Sequence, residues 1–332
     1  MATREPGLEA VSSSVHRLGV LLGAGVSPVS SWAHVAALGT AHTTPLLTAV
    51  ARATSRGAPA DRAILEGLEL AHPSHRGAWR AVAAAWRVAT VSGAPLAPTL
   101  GEVAASLRSV AAVQRDLGVA LAGPVATARL VMVLPVVGLL FGVALGFDTI
   151  GALFTTLPGG VCLTAGAMLM GVSALWNSRL LARARLDDAT PGIELDLTAI
   201  AVSGGAALPR ARTTVREAIA ACGLADSGGV RRDAGAPAAG SAAESAREPA
   251  REPDAVDAVL GLSERAGVPA AVLLRSTADE VRRDARSEGE RRAASLAVTL
   301  MLPLGICVLP AFMLLGVAPL LLSVISSTVD GF

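Results

Sequence analysis

The chain has 332 residues, of which 52% are hydrophobic and only 17% charged, with a net charge of +1 and a mean hydropathy of +0.55. That balance belongs to a protein with membrane-embedded segments rather than to two ordinary soluble domains. All 28 basic residues are arginine and tyrosine is absent, which excludes a Walker A ATPase, a protein kinase and a pyridoxal enzyme, since each needs a particular lysine.

Residues 1–125 read as helix after helix. Apolar side chains recur at three-and-four spacing through Val11, Val15, Leu18, Leu22, Trp32 and Val35, and no alternating run suggests a sheet. Breaks fall at Gly25-Val-Ser-Pro28, Thr43-Thr-Pro45, Gly57-Ala-Pro59, His72-Pro73 and Gly93-Ala-Pro95, dividing the segment into about six helices. The apolar run after Arg17 is read as helix and not as a secretory leader, because Glu5 and Glu9 stand where a leader would be basic. His72-Pro-Ser-His75 reads as a polar turn. Cys162, Cys222 and Cys307 are too few and too scattered for a disulfide framework or a zinc site. No metal or other cofactor is expected.

Three segments have the length and apolarity of bilayer spans: 126–147, 151–176 and 295–325. The first two are separated by a short turn and form a hairpin. Gly138, Gly142 and Gly146 lie four apart on the first span, a stripe expected to pack on the second span at Gly166 and Gly171, or on another subunit. Pro135, Pro303 and Pro310 sit inside spans, where each permits a kink. Eleven arginines, Arg183, Arg185, Arg282 and Arg286 among them, flank the spans on one side, and none lies in the hairpin turn or the C-terminal tail. The bias places residues 1–125 and 177–294 in the cytoplasm and the C-terminus outside, giving a multi-pass protein of the cell membrane.

The second cytoplasmic segment looks like a shorter copy of the first. Gly93 and Pro95 find counterparts in Gly267 and Pro269, each pair followed by a long helix entering a span, and Gly25 and Pro28 have a looser counterpart in Gly205 and Pro209. Residues 227–255 are rich in Ala, Gly, Pro, Ser and charge and are read as a disordered insert. The expected architecture is therefore an all-α membrane protein with two cytoplasmic helical bundles, 1–125 and 177–294, and three transmembrane helices.

No catalytic constellation emerges. Glu66 and Glu69 read as a solvated stripe, and the spans carry no mid-membrane charge of the kind a coupled transporter needs. Arg183, Arg185, Arg282 and Arg286 are candidates for contact with lipid headgroups or a cytoplasmic partner. A membrane subunit of a transporter or permease complex is the competing reading.

Four stretches together, LGVLLGAGVSP (18–28), VATVSGAPLAPTLGEVAASLR (88–108), LSERAGVPAAVLLRSTADEVR (262–282) and LPLGICVLPAFMLLGVAPLLLS (302–323), resemble the type II secretion system F-domain family. The likeness is to its Tad-type pilus assembly membrane proteins, TadB and TadC, of actinobacteria. It implies a non-enzymatic platform protein that couples a cytoplasmic secretion ATPase to the assembly of pilin subunits. The partners implied are that ATPase, pilins, a second F-domain membrane protein or another copy of the chain, and the lipid membrane, with no nucleic acid.

Overall fold

A computed structural model describes residues 7–144, 151, 157–184, 191–224, 255–299, 304–318 and 321, and every regular element among them is helical. In chain order these are α1 (Gly7–Gly23), α2 (Pro28–Ala37), α3 (Thr44–Ser55), α4 (Ala60–Glu66), two short 3-10 turns (Leu68–Leu70 and Pro73–His75), α5 (Arg76–Ser92) and α6 (Leu96–Ala144). There follow α7 (Leu157–Ala184), α8 (Ile193–Ser203), α9 (Leu208–Cys222), α10 (Ala255–Ala266) and α11 (Ala270–Thr299). A last stretch winds through wide π-type turns, Leu304–Val308 and Met313–Val317, on either side of Leu309–Phe312. The insert expected over 227–255 falls, but for Ala255, outside the described residues.

The chain folds as two compact units, Met1–Val113 with Asp187–Arg286, and Gln114–Leu186 with Ser287–Phe332. The first unit brings segments of both expected bundles, 1–125 and 177–294, together in one compact body. Its centre is α5, where Ala81, Val82, Ala83, Ala84 and Ala85 are all fully buried. Such small side chains let neighbouring helices approach closely, and α1, α4, α8 and α9 all pack on this helix. Trp79 and Trp86 fill the wider gaps, and Trp86 meets Trp32 of α2 in a tilted pair with centroids 5.5 Å apart.

Two of the helices packed on α5 come from the second half of the sequence. Ile193, Leu197 and Ile200 of α8, and Ala211, Val215 and Ala218 of α9, belong to the same core as Val15, Trp32 and Leu47. The opposite face of α8, Leu195 and Ala199, joins a smaller core with Val256, Val259 and Leu260 of α10 and Leu274 and Ala278 of α11. A helix that is apolar all round is one buried on both faces, and α8 joins the halves for that reason.

In the second unit, Leu157–Leu180 is a helix long and apolar enough to cross a membrane. This falls within α7 and covers most of the expected second span, beginning a few residues later. The expected first span is the C-terminal part of α6, where Val125–Leu134 passes the same test only together with Leu96–Ala120. The expected third span begins in the last residues of α11 and contributes a shorter apolar helix, Gly305–Val317; residues 300–303, 319, 320 and 322–325 lie outside those described. Two of the glycines expected to pack closely, Gly138 and Gly166, do so against the last helical stretch. A side chain at Gly138 would come within 2.9 Å of Phe312, and one at Gly166 within 2.5 Å of Leu315, whereas Gly171 faces open space. Both close approaches are thus to the last helical stretch and not between the first two spans. Pro135 and Gly142 lie within α6, and Pro310 in the first turn of Leu309–Phe312; Gly146 and Pro303 are outside the described residues.

Candidate functional site

The repeated Gly and Pro motifs become one structural feature. Gly25, Gly93, Gly205 and Gly267 all adopt left-handed backbone, with φ of 85°, 74°, 87° and 67°. Each ends a helix, and a proline opens the next: Pro28 and Pro209 in the first turns of α2 and α9, Pro95 and Pro269 just before α6 and α11. In the Gly25 turn the N–H of Val26 donates to Leu21 O and that of Gly25 to Leu22 O, the double bond of a Schellman motif; Ala206 to Ala201 O and Gly205 to Val202 O repeat it. A side chain would strain this geometry, so glycine here is a requirement of the turn. Gly57, at the Gly57-Ala-Pro59 break but not among the repeated pairs, has φ of 88°, and Pro59 precedes α4 in the same way; the Gly-x-Pro spacing is the signal that marks it.

These turns gather at one pole of the bundle. A side chain at Gly204 would sit 2.6 Å from Ser92 O and 2.8 Å from Ala94 N, so the turns ending α5 and α8 touch backbone to backbone. One at Gly19 would lie 3.1 Å from Ala97 O, bringing the end of α1 against the start of α6. Arg275, early in α11, reaches Ser203 Oγ at 3.0 Å and Glu102 at 3.0 Å, which brings the Gly267 turn to the same pole. From there α6 and α11 both run away from the turns and out of the first unit.

Just below the pole lies a polar cluster between α6, α8 and α11. Arg282 donates to Asp196 at 2.6 Å, to Asp279 at 2.5 Å and to Ser106 Oγ at 3.4 Å. The side chains of Arg282 and Asp196 are only 13% and 15% exposed. Arg282 is therefore not the lipid- or partner-facing residue that its charged neighbourhood suggested: it is turned inward to a buried carboxylate that no nearby sequence position supplies. Arg286 is exposed on α11, the side chain of Arg183 is not among those described, and Arg185 lies outside the described residues.

Burial pushes the Asp196 carboxyl up from its ordinary 3.8 to about 6, against the pull of Arg282 and with Glu102 and Asp279 adding to the rise. Burial acts to lower Arg282, but Asp196 and Asp279 more than offset it and hold the guanidinium charged. The consequence for stability has a definite sign. Because the folded state holds the Asp196 proton more tightly than the unfolded chain, this group's favourable contribution is complete below about pH 4. It is lost as pH rises through about 6. The stability of the parent protein minus that of Asp196→Asn is expected to fall by roughly 2 kcal/mol between about pH 4 and pH 7. Denaturant melts of both proteins across that range check it; a flat difference would refute it.

Other groups carry less. Burial pushes the Cys222 thiol up to about 11, which leaves it unreactive at neutral pH. His72 Nδ1 is 2.7 Å from Ser74 Oγ, and among the described residues no three His, Cys, Asp or Glu side chains converge as a metal site requires. In the second unit, Gly138, Phe141, Phe312, Gly316, Val317 and Leu321 line an apolar cleft of about 190 Å³.

The comparison with protein families is in accord with this architecture. The model of "Type II secretion system (T2SS), protein F" matches residues 15–144, from within α1 to the end of α6. Residues 15–144 are thus similar to the type II secretion system protein F family. None of the curated proteins matches the chain.

Proposed function

We propose that this protein is a multi-pass platform protein of a Tad-type pilus or related type II secretion machine, relaying the work of a cytoplasmic secretion ATPase to pilin subunits. The observation that carries this reading is the protein F match over the six helices from α1 to α6. It is joined by the apolar span Leu157–Leu180 and by the arginine asymmetry that puts the helical unit in the cytoplasm with the C-terminus outside. Without a lysine the chain has no Walker A motif of its own, so nucleotide hydrolysis falls to a partner. A second F-domain protein or a second copy of the chain would complete the platform.

The test is affinity purification of the full-length protein, solubilised from its native membranes, with mass spectrometry of what accompanies it. Recovery of a secretion-type ATPase, a prepilin or a second F-domain protein is expected. Recovery of an ATP-binding-cassette subunit with a solute-binding protein would favour the permease instead. Because residues of α1 to α6 share their core with Leu197 and Ile200, the control is a point variant and not a truncation.

A further inference from the structure

Most of the first unit is held by one continuous apolar core, but α10 and α11 are attached in another way. Among the described residues, their apolar contact with the rest of the unit is the small cluster around Leu195 and Ala199 of α8, with Leu208 of α9 at its edge. The remaining joints are arginine bridges: Arg212 of α9 to Asp257 of α10, Arg275 to Glu102 and Ser203, and Arg282 to Asp196 and Ser106. Arg275 and Arg282 lie two turns apart on one face of α11 and make the bridges to α6 and α8. The Arg275 pair is over a third exposed on both sides, where solvent screening leaves an ion pair weak. Arg275 Nε has no hydrogen-bond partner among the described residues. The Arg282 pair is largely shielded from solvent, and an ion pair taken out of water repays its desolvation poorly compared with apolar packing in the same volume. A joint designed only to hold would be apolar, like the face between α5 and α8.

We infer that α10 and α11 form an arm that opens as a unit from the rest of the bundle, with Arg282 and Arg275 as its latch. Opening separates α11 from α6, the two helices through which the chain leaves the first unit, and leaves the tryptophan-lined core around α5 closed. The arm is a low-stability cooperative element in a more stable bundle, the arrangement that lets one part of a fold move while the rest stays closed. This inference stands on the packing of the first unit and does not depend on the assembly role.

Hydrogen exchange read by mass spectrometry on the full-length solubilised protein tests it. In Arg282→Gln, amides of residues 255–266 and 270–286 are expected to exchange about tenfold faster than in the parent, with those of residues 76–92 unchanged. Unchanged exchange in the arm, or acceleration of residues 76–92 in step with it, would overturn the inference. A second pair of variants guards against simple misfolding. Arg275→Glu alone should speed exchange in the arm several-fold, and Arg275→Glu with Glu102→Arg should return it to within about twofold of the parent. Failure of the exchanged pair to restore protection would show that this contact is no latch.

Discussion

Gly204→Val is expected to destabilise the first unit by about 3 kcal/mol or more, while Gly101→Ala, on the neighbouring helix, is expected to be neutral or to stabilise it slightly. The backbone of Gly204 itself is ordinary, with φ of −76°, so the effect does not come from turn strain. It comes from space: the first carbon of any side chain would lie 2.6 Å from Ser92 O and 2.8 Å from Ala94 N. Both are backbone atoms anchored by their helices, and neither can swing aside as a side-chain tip would. Overpacking of this kind typically costs 1–3 kcal/mol and more when backbone must move. At Gly101 a methyl group meets nothing within 4 Å, and alanine is the better helix former by about 1 kcal/mol. Thermal melts followed by tryptophan fluorescence on the solubilised protein separate the two. Equal melting temperatures for parent and Gly204→Val would show that the two turns do not touch.

Leu197→Ala is expected to lower the stability reported by Trp32, Trp79 and Trp86 by about 3 kcal/mol. Leu197 is fully buried, and it lies in the core that contains those tryptophans although more than a hundred residues separate them from it in sequence. Removing a buried leucine side chain typically costs 2–5 kcal/mol, through lost transfer energy and the cavity left behind. Two independent bundles would give the opposite result, since a defect in the second would leave the tryptophan signal of the first unmoved. Denaturant titrations monitored by tryptophan emission distinguish these cases. Trp176 lies in α7, in the other unit, and substituting it with Phe in both proteins removes its background.

The helices of the first unit and the turns between them were legible in the sequence because their signals are local. A glycine that must adopt positive φ and a proline that must open a helix announce themselves within four residues, as Gly25 to Pro28 and Gly93 to Pro95 do. The internal copy was visible for the same reason, since Gly205 and Gly267 repeat the turn chemistry of Gly25 and Gly93. Long-range pairing had no such mark. The inward turn of Arg282 depends on Asp196, 86 residues away in the chain, while the acidic residues beside it in sequence suggested a solvated face. The contact of Gly138 with Phe312 escaped for a related reason: a small-residue stripe marks a face that can be approached closely, but not the helix that approaches it.

By itself, then, the sequence determined that the chain is helical, where its Gly–Pro turns fall, that the helix now seen at Leu157–Leu180 is apolar enough for a bilayer, and that the chain lacks the lysine of a P-loop motor. Tertiary structure alone decided that the two repeats share a core. Helix α8 is apolar on both faces, and periodicity can show that such a helix is buried without showing what covers it. Only the fold brings α5 to one side of it and α10 and α11 to the other. The same packing leaves Asp196 and Arg282 buried against each other, where their charges join the helices that carry the chain out of the first unit.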